Sequence, residues 1–399
     1  MATVERNGFR FDTGAIVLTR RYVQMLKLAA AAGLAADIVS ASSSLAIPRN
    51  GIVHHVHADS PLKNIFTNAV SWRAKLSAVG LLRDVARSRP LTDWYDLSRS
   101  LPLDTESVFD YLSRHCSTDM RDTLIGPLYR GLYLEEMQDM SVVELLTILN
   151  NFYGAPLFTF REGIDALPRA LARTLDVRLG ARVVEVEQDD SRVRVTWQDA
   201  HSGEHVEEAS ACVIALTAPQ MAGIRPQLEP ELRESALSAK YSRILNVQLA
   251  LARPTAERAL AVMLSANECP DLYSIYLDHN KNALQMPAGR GVATIFWNHS
   301  LGHRMWGLDD DEIVARTAQA AAKVIPGIDA DVLFGHVTRH DIGISIPATG
   351  DYRRLSPLAA SRQNARRIHI AGDYLAGGST NAALCSGEYA ARHIQESFT

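Results

Sequence analysis

The stretch 368-IHIAGDYLAGGSTNAALCSGEYAARHI-394 decides the fold. It opens on a short apolar run that predicts a buried strand ending at the carboxylate of Asp373. A loop of small residues follows, and then a helix whose small residues lie on the side nearest that loop. A helix N-terminus offers free N–H groups and a partial positive charge, so it suits an anion or an electron-rich carbonyl. Gly377 and Gly378 let a ligand approach the backbone, and Ala382, Ala383 and Gly387 keep side chains clear. Asp373 sits where open α/β sheets place polar ligand contacts, at the C-terminal edge of a strand. Without a ligand, the same residues read as an ordinary strand–loop–helix with a capped terminal helix.

Working outward, residues 160–222 predict a helix, a strand 181-ARVVEVEQ-188, and a turn at Asp189-Asp190. An alternating strand 192-RVRVTWQ-198 and a third, 204-EHVEEAS-210, complete a small antiparallel meander. The run 211-ACVIALTA-218 is nearly all apolar, the pattern of a strand covered on both faces. Near the start, a polar strand turns at Asn7-Gly8 into a second strand at 8–12, and a helix is predicted over 19–38. Asn50-Gly51 marks a second hairpin. Residues 61–150 read as mainly helical, with an Asp104-Thr105 cap before one helix and Ser141 before another. Residues 223–345 add strands at 244-ILNVQLALA-252 and 291-GVATIFWN-298 and a helix behind Asp309–Asp311, whose charges favour a helix N-terminus.

The 399 residues are 47% hydrophobic and 22% charged, which is enough for two domains of ordinary globular composition. A net charge of −4 gives no reason to expect nucleic acid or an anionic membrane as partner. Cys116, Cys212, Cys269 and Cys385 are dispersed, which fits neither a zinc site nor a disulfide framework and suits a reducing cytoplasm. No run of about eighteen apolar residues spans a membrane. His55 and His57 share a strand face, but with no third ligand they read as a solvated hairpin rather than a metal site. Cys385 reads as small-residue packing.

The terminal segment resembles the C-terminal flavin-binding signature of the FAD-dependent amine oxidase superfamily. Other blocks fall in matching order: 7-NGFRFDTGA-15, 160-FREGIDALPRALAR-173 with 181-ARVVEVEQ-188, and 212-CVIALTAPQ-220. The segment 124-LIGPLYRGLYLEEMQDMSVVEL-145 is similar to the protoporphyrinogen oxidase and carotenoid desaturase branch. The resemblance covers nearly the whole chain. It implies FAD as cofactor. Asp373 would meet the ribityl or pyrophosphate oxygens, the backbone of Thr380, Asn381, Ala382 and Ala383 would face the flavin C2 carbonyl, and Gly372 and Ser379 would belong to the same cofactor-binding set. Val183 would hold the adenine through its main chain, and Gly14 and Ala15 would lie against the ring system.

Two departures narrow the branch. Where amine oxidases of the superfamily carry an aromatic residue before the terminal helix, this chain has Ser379, and where they carry a lysine it has Asn246. Both argue against amine oxidation and for dehydrogenation of a small, apolar, cyclic or polyene-like substrate. No general base stands out; His340, Tyr352 and Asn246 are the candidates. A third departure is the family's G-x-G-x-x-G βαβ unit, which occurs nowhere in residues 1–399. Met1 aligns just past the family's "GGR", so roughly 40 residues of the family's N-terminus are expected to be absent, about one βαβ unit with its flanks.

The resulting expectation is an α/β fold. A Rossmann-like FAD-binding domain without its N-terminal βαβ unit is assembled from 1–40, 155–222 and 346–399, and a mixed α+β substrate domain from 41–154 and 223–345. Three functional readings follow. The chain is a flavoenzyme or part of one; or it has lost FAD and performs isomerisation, cyclisation or ligand binding; or it is one subunit of a split oxidoreductase. A homodimer or a partner chain would then cover the open strand edge.

Overall fold

The computed structural model describes residues 1–398. Asn7 and Gly8 take φ of 53° and 77°, as do Asn50 and Gly51 at 51° and 77°. Two successive left-handed residues make the tight hairpin turn whose twist matches paired strands. The first turn joins Thr3–Arg6 to Phe9–Asp12, with Thr3 opposite Asp12. The second joins Ser44–Arg49 to Ile52–His57.

That second hairpin forms one end of a seven-stranded mixed sheet, ordered Val332–His340, Ile244–Leu251, Gly291–Trp297, Leu272–Leu277, Ala261–Met263, Ser44–Arg49, Ile52–His57. Ala261–Met263 runs parallel to Ser44–Arg49, and the other pairs are antiparallel. Alternation along Ile244–Leu251 sets its two faces. Leu245, Val247 and Leu249 pack into a core with Ile313 and Ala321 of the helix Asp310–Ala322. Asn246 and Ala250 face the other way, toward the first hairpin, where Phe9 and Phe11 cluster with Ala250, Met286 and Val292.

Smaller layers complete the fold. Arg182–Gln188, Val193–Gln198 and Glu204–Ala209 form the expected meander. The helix expected over 19–38 is shorter, Val23–Ala31. Leu18–Thr19 and Ile38–Ala41 instead flank Leu157–Phe160, a fully buried strand with no sequence-based expectation. Pairing across 140 residues overrides the local helical spacing there. Ser141 caps the helix Val142–Asn151, as its position suggested, but Ser107 rather than Asp104-Thr105 caps Val108–His115. Asp104 is used elsewhere: it accepts hydrogen bonds from Ser141 Oγ and from the backbone N–H of Gly350 and Tyr352.

The run at 211–218 differs most from expectation. Only Cys212–Ile214 is a strand, parallel to Ile368–Ile370, and among the described residues this pair is a sheet of two. Ile214 is buried, but Val213 and Leu216 are each 38% exposed. Cys212–Ile214 is therefore covered on one side only, while its partner Ile368–Ile370 is buried throughout.

Candidate functional site

A cavity of about 410 Å³ lies between the large sheet and the start of the terminal helix. Its wall takes Thr13–Val17 after the first hairpin and Gly131–Leu134 at a helix end. Glu144, Asn246, His340 and the loop from Asp373 to Ala383 complete it. Most of the remaining lining is apolar, including Ile148, Phe152, Tyr276, Phe296 and Ile344. Leu134, in the wall, has φ of 56°. A bulky left-handed residue is costly and is kept where surrounding packing fixes it.

Two polar groups hold the front wall. The Thr13 carbonyl accepts from Asn246 Nδ2 at 3.0 Å and lies 2.7 Å from His340 Nε2, which donates to it in that tautomer. Both side chains thus fix the backbone that presents Gly14 and Ala15. Asn246 Oδ1 is buried without a partner in the same wall.

The terminal helix, Thr380–Phe398, supplies the back wall. The N–H of Ala382 donates to Ser379 Oγ, and that of Ala383 to the Ser379 carbonyl. Thr380 and Asn381 precede any carbonyl the helix could offer their N–H groups. Gly378 is required by space: a Cβ there would stand 2.8 Å from the Ser345 carbonyl oxygen. Gly372 is too, since a Cβ would overlap the Tyr374 ring, and its N–H is tied to Ser386 Oγ.

A buried acid cluster forms the floor. Glu144, 1% exposed, accepts a short hydrogen bond from the Tyr352 hydroxyl, and its backbone carbonyl accepts from the Tyr133 hydroxyl at 2.9 Å. Burial pushes the Glu144 carboxyl up to about 7, while the two tyrosines hold it down and Asp373 repels its charge. Burial likewise raises Asp373 to about 6, against backbone hydrogen bonds that lower it. Beside them Tyr22 meets Trp94 edge-on, with ring centroids 5.9 Å apart. Both rings line the cavity near Ser379.

Gly14, Ala15, Asn246, His340, Asp373, Ser379, Thr380 and Ala383 therefore meet in one cavity. Asn381 and Ala382 are buried behind it. Tyr352 lies beneath it, reaching it through Glu144. Val183 does not line the cavity; it packs beside the Ile214–Ile370 core at a bulge in its strand. Sequence reading missed Glu144, Tyr22 and Trp94. A carboxylate amid 142-VVELLTILNN-151, the single charged residue of a mostly apolar helix, is the signal that marked Glu144.

The family model for flavin containing amine oxidoreductases matches residues 1–395. The chain belongs to that family. Solved structures of similar fold include putrescine oxidase bound to putrescine (TM-score 0.76, 17% identity, 99% of this chain and 90% of that one). An Exiguobacterium protein assigned as a protoporphyrinogen oxidase has a TM-score of 0.70 at 17% identity, with 100% and 90% covered. A fatty acid isomerase from P. acnes that produces CLA has a TM-score of 0.69 at 12% identity, with 100% and 89% covered. No curated protein sequence matches the chain. Family membership implies a flavin cofactor and oxidoreductase chemistry in general. The cavity of this family member fits part of such a group. It is lined by the small residues Gly14 and Ala15, by the helix N-terminus at Thr380, and by Asn246 with its unpartnered buried acceptor.

Proposed function

We propose that this chain is an FAD-dependent dehydrogenase acting on an apolar, cyclic or polyene-like substrate. The observation that carries the reading is the arrangement of Gly14-Ala15, Gly378 and the Thr380 helix start around one largely apolar cavity. FAD bound there would accept a hydride equivalent from the substrate, which is the redox chemistry the protein itself lacks. The protein's own residues have four tasks. Gly14, Ala15 and the Gly377-Gly378 backbone would set the plane of the ring. The N-terminus of the helix Thr380–Phe398 would stabilise negative charge at the pyrimidine edge. Asp373 would bind the sugar-alcohol chain, and Val183 would serve the adenine from its separate position. A groove bordered by Leu28, Leu167, Ala383 and Gly387 meets the cavity at Thr380 and Ala383, and would take the part of the dinucleotide between the ring and the adenine.

The apolar lining excludes water from the reacting carbon. Thr147, Asn151 and Glu144 supply polar or ionisable groups from the helix Val142–Asn151, and the apolar remainder of the wall would recognise substrate mainly by shape. The absence of a lysine at 246 and of an aromatic residue at 379 supports carbon–carbon dehydrogenation over amine oxidation.

One observation favours a second reading, isomerisation or cyclisation without net oxidation. Glu144 and Asp373 are buried carboxyls raised toward neutral pH in the cavity wall, so each can hold or give up a proton near pH 7. The two readings separate in one experiment. The purified chain is mixed with FAD, passed through gel filtration and examined by visible spectroscopy. Retained flavin bands that bleach with an apolar cyclic substrate support dehydrogenation. A colourless protein that still melts cooperatively and converts substrate without an acceptor supports the second.

A further inference from the structure

The segment from 61 to 89 places large apolar side chains in solvent. Leu62, Phe66, Trp72, Leu76, Val79 and Leu82 are between 55% and 83% exposed. They come from the turn Lys63–Phe66 and the short helices Trp72–Ser77 and Val79–Ser88. Monomeric proteins expose single hydrophobic residues freely but seldom a cluster of this kind, which marks an interaction surface.

The exposure is built in rather than a product of a loose loop. Lys75 Nζ donates to the carbonyls of Ile65 and Thr67, both at 2.6 Å, locking the turn onto the first helix. Asn64 accepts from the His57 N–H and donates to the His57 carbonyl and the Tyr153 hydroxyl, fixing the turn to the sheet hairpin. A polar scaffold thus presents Leu62 and Phe66 outward.

Charge says what the surface meets. Residues 61–89 hold six basic residues, Lys63, Arg73, Lys75, Arg83, Arg87 and Arg89, and one acidic residue, Asp84, so six minus one leaves +5. The whole chain is −4, so the remainder is −9. Asp84 is itself engaged by the Tyr111 hydroxyl at 3.0 Å and His115 at 3.5 Å. The low overall charge therefore hides a strong local segregation. A second copy docked here would bring +5 against +5, which disfavours self-association. Apolar side chains among basic ones on short helices suit the interface of an anionic bilayer. Spanning is not at issue: among the described residues no helix is long and apolar enough to cross a membrane.

The surface also leads inward. Ile65, Trp72, Leu76, Val79 and Leu82 rim a strongly apolar cavity of about 460 Å³. Val17, Leu132, Ile148, Phe152 and Tyr276 line both that cavity and the one described above. The two cavities therefore adjoin across a largely apolar wall.

We propose that residues 61–89 form a peripheral docking surface for an anionic lipid bilayer, positioned over an apolar cavity that adjoins the functional one. The use of that cavity by substrate rests on the dehydrogenase reading; the docking goes beyond it and needs no flavin. The test is flotation of the full chain with vesicles of 3:1 phosphatidylcholine:phosphatidylglycerol and of phosphatidylcholine alone. The expected result is co-flotation with the anionic vesicles, at least tenfold weaker on neutral ones or in high salt. The triple variant Leu62→Ser, Phe66→Ser, Trp72→Ser and the charge variant Arg83→Glu, Arg87→Glu should each lose at least tenfold. Both alter exposed side chains, and unchanged thermal melts would verify that they fold. The proposal is overturned if the wild type floats with neither vesicle, or if both folded variants bind like wild type. It is also overturned if the lipid-free wild type sediments as a dimer that the apolar variant dissociates.

Discussion

At the scale of single residues, Glu144 is the group whose behaviour the surroundings change most usefully. It lies in the cavity floor against Tyr352 and Tyr133, and burial raises it from its ordinary 4.5 to about 7. As pH rises, the unfolded chain gives up this proton first and the folded chain holds it. The contribution of Glu144 to stability is therefore complete below pH 4.5 and is lost between there and about pH 7. Asp373, raised to about 6, shifts stability in the same direction over a lower window. Glu144→Gln keeps an acceptor for Tyr352 and removes the titration. The variant is expected to match wild type in urea unfolding at pH 4.5 and to exceed it at pH 8, by up to roughly 3 kcal/mol. Equal differences at both pH values would show that Glu144 is ionised in the folded chain. Asn246 and His340 illustrate another side of residue-level reading. Both were candidates for acid–base roles, and both have a nitrogen engaged with the Thr13 carbonyl, shaping the wall against which a ring would lie.

At the scale of elements, the strand–loop–helix from Ile368 to Phe398 shows how little room the site leaves. Gly378→Ala would bring Cβ to 2.8 Å from the Ser345 carbonyl oxygen and 3.1 Å from Ile344 Cγ2. A backbone carbonyl yields only if its whole segment moves, so the substitution should cost about 1–3 kcal/mol and weaken FAD retention at least tenfold. Gly387→Ala, on the same helix, meets nothing within 4 Å. In an open helical position alanine is favoured over glycine by about 0.5–1 kcal/mol. Thermal melts of the two variants should therefore move in opposite directions. The composition of this element was readable from sequence, because glycine spacing and helical periodicity are local properties. The strand Leu157–Phe160 was not, because its partners at Leu18–Thr19 and Ile38–Ala41 lie more than a hundred residues away.

At the scale of the whole molecule, distant segments are tied by one buried charge cluster. Lys281 Nζ lies 2.8 Å from Asp12 and 2.6 Å from Asp278, and both its ends are almost fully buried. Asp12 also accepts from Thr3 Oγ1, the Ile164 N–H and Gln285 Nε2. Burial would lower the lysine and raise the aspartate, but each carries the other well past that: Lys281 is held above its ordinary value and Asp12 below. Lys281→Met leaves two carboxylates buried without their cation. Such a loss costs about 3–5 kcal/mol. Chemical denaturation should show that drop, with part of it recovered in the double variant Asp12→Asn, Lys281→Met. A double variant as unstable as the single one would place the lysine's contribution in packing rather than charge. The resemblance of the whole chain to an FAD-binding fold and the family it implied were legible in advance, as an ordered set of short blocks. The acid cluster around Glu144 and the Tyr22–Trp94 pair were not, since each joins residues with no common periodicity.

What the sequence determined by itself is local chemistry: the two Asn-Gly hairpins, the meander, and the glycine-rich start of the terminal helix. Each follows from backbone preferences within a few residues. The tertiary structure alone decided which of those elements meet. It brought Gly14, Asn246, His340 and Thr380 to one cavity while leaving Val183 apart. It left Cys212–Ile214 covered on one face only, and it gathered +5 and six exposed apolar side chains over a second cavity in a chain of net charge −4. Burial and electrostatic fields depend on what lies across space, and that information resides in long-range packing.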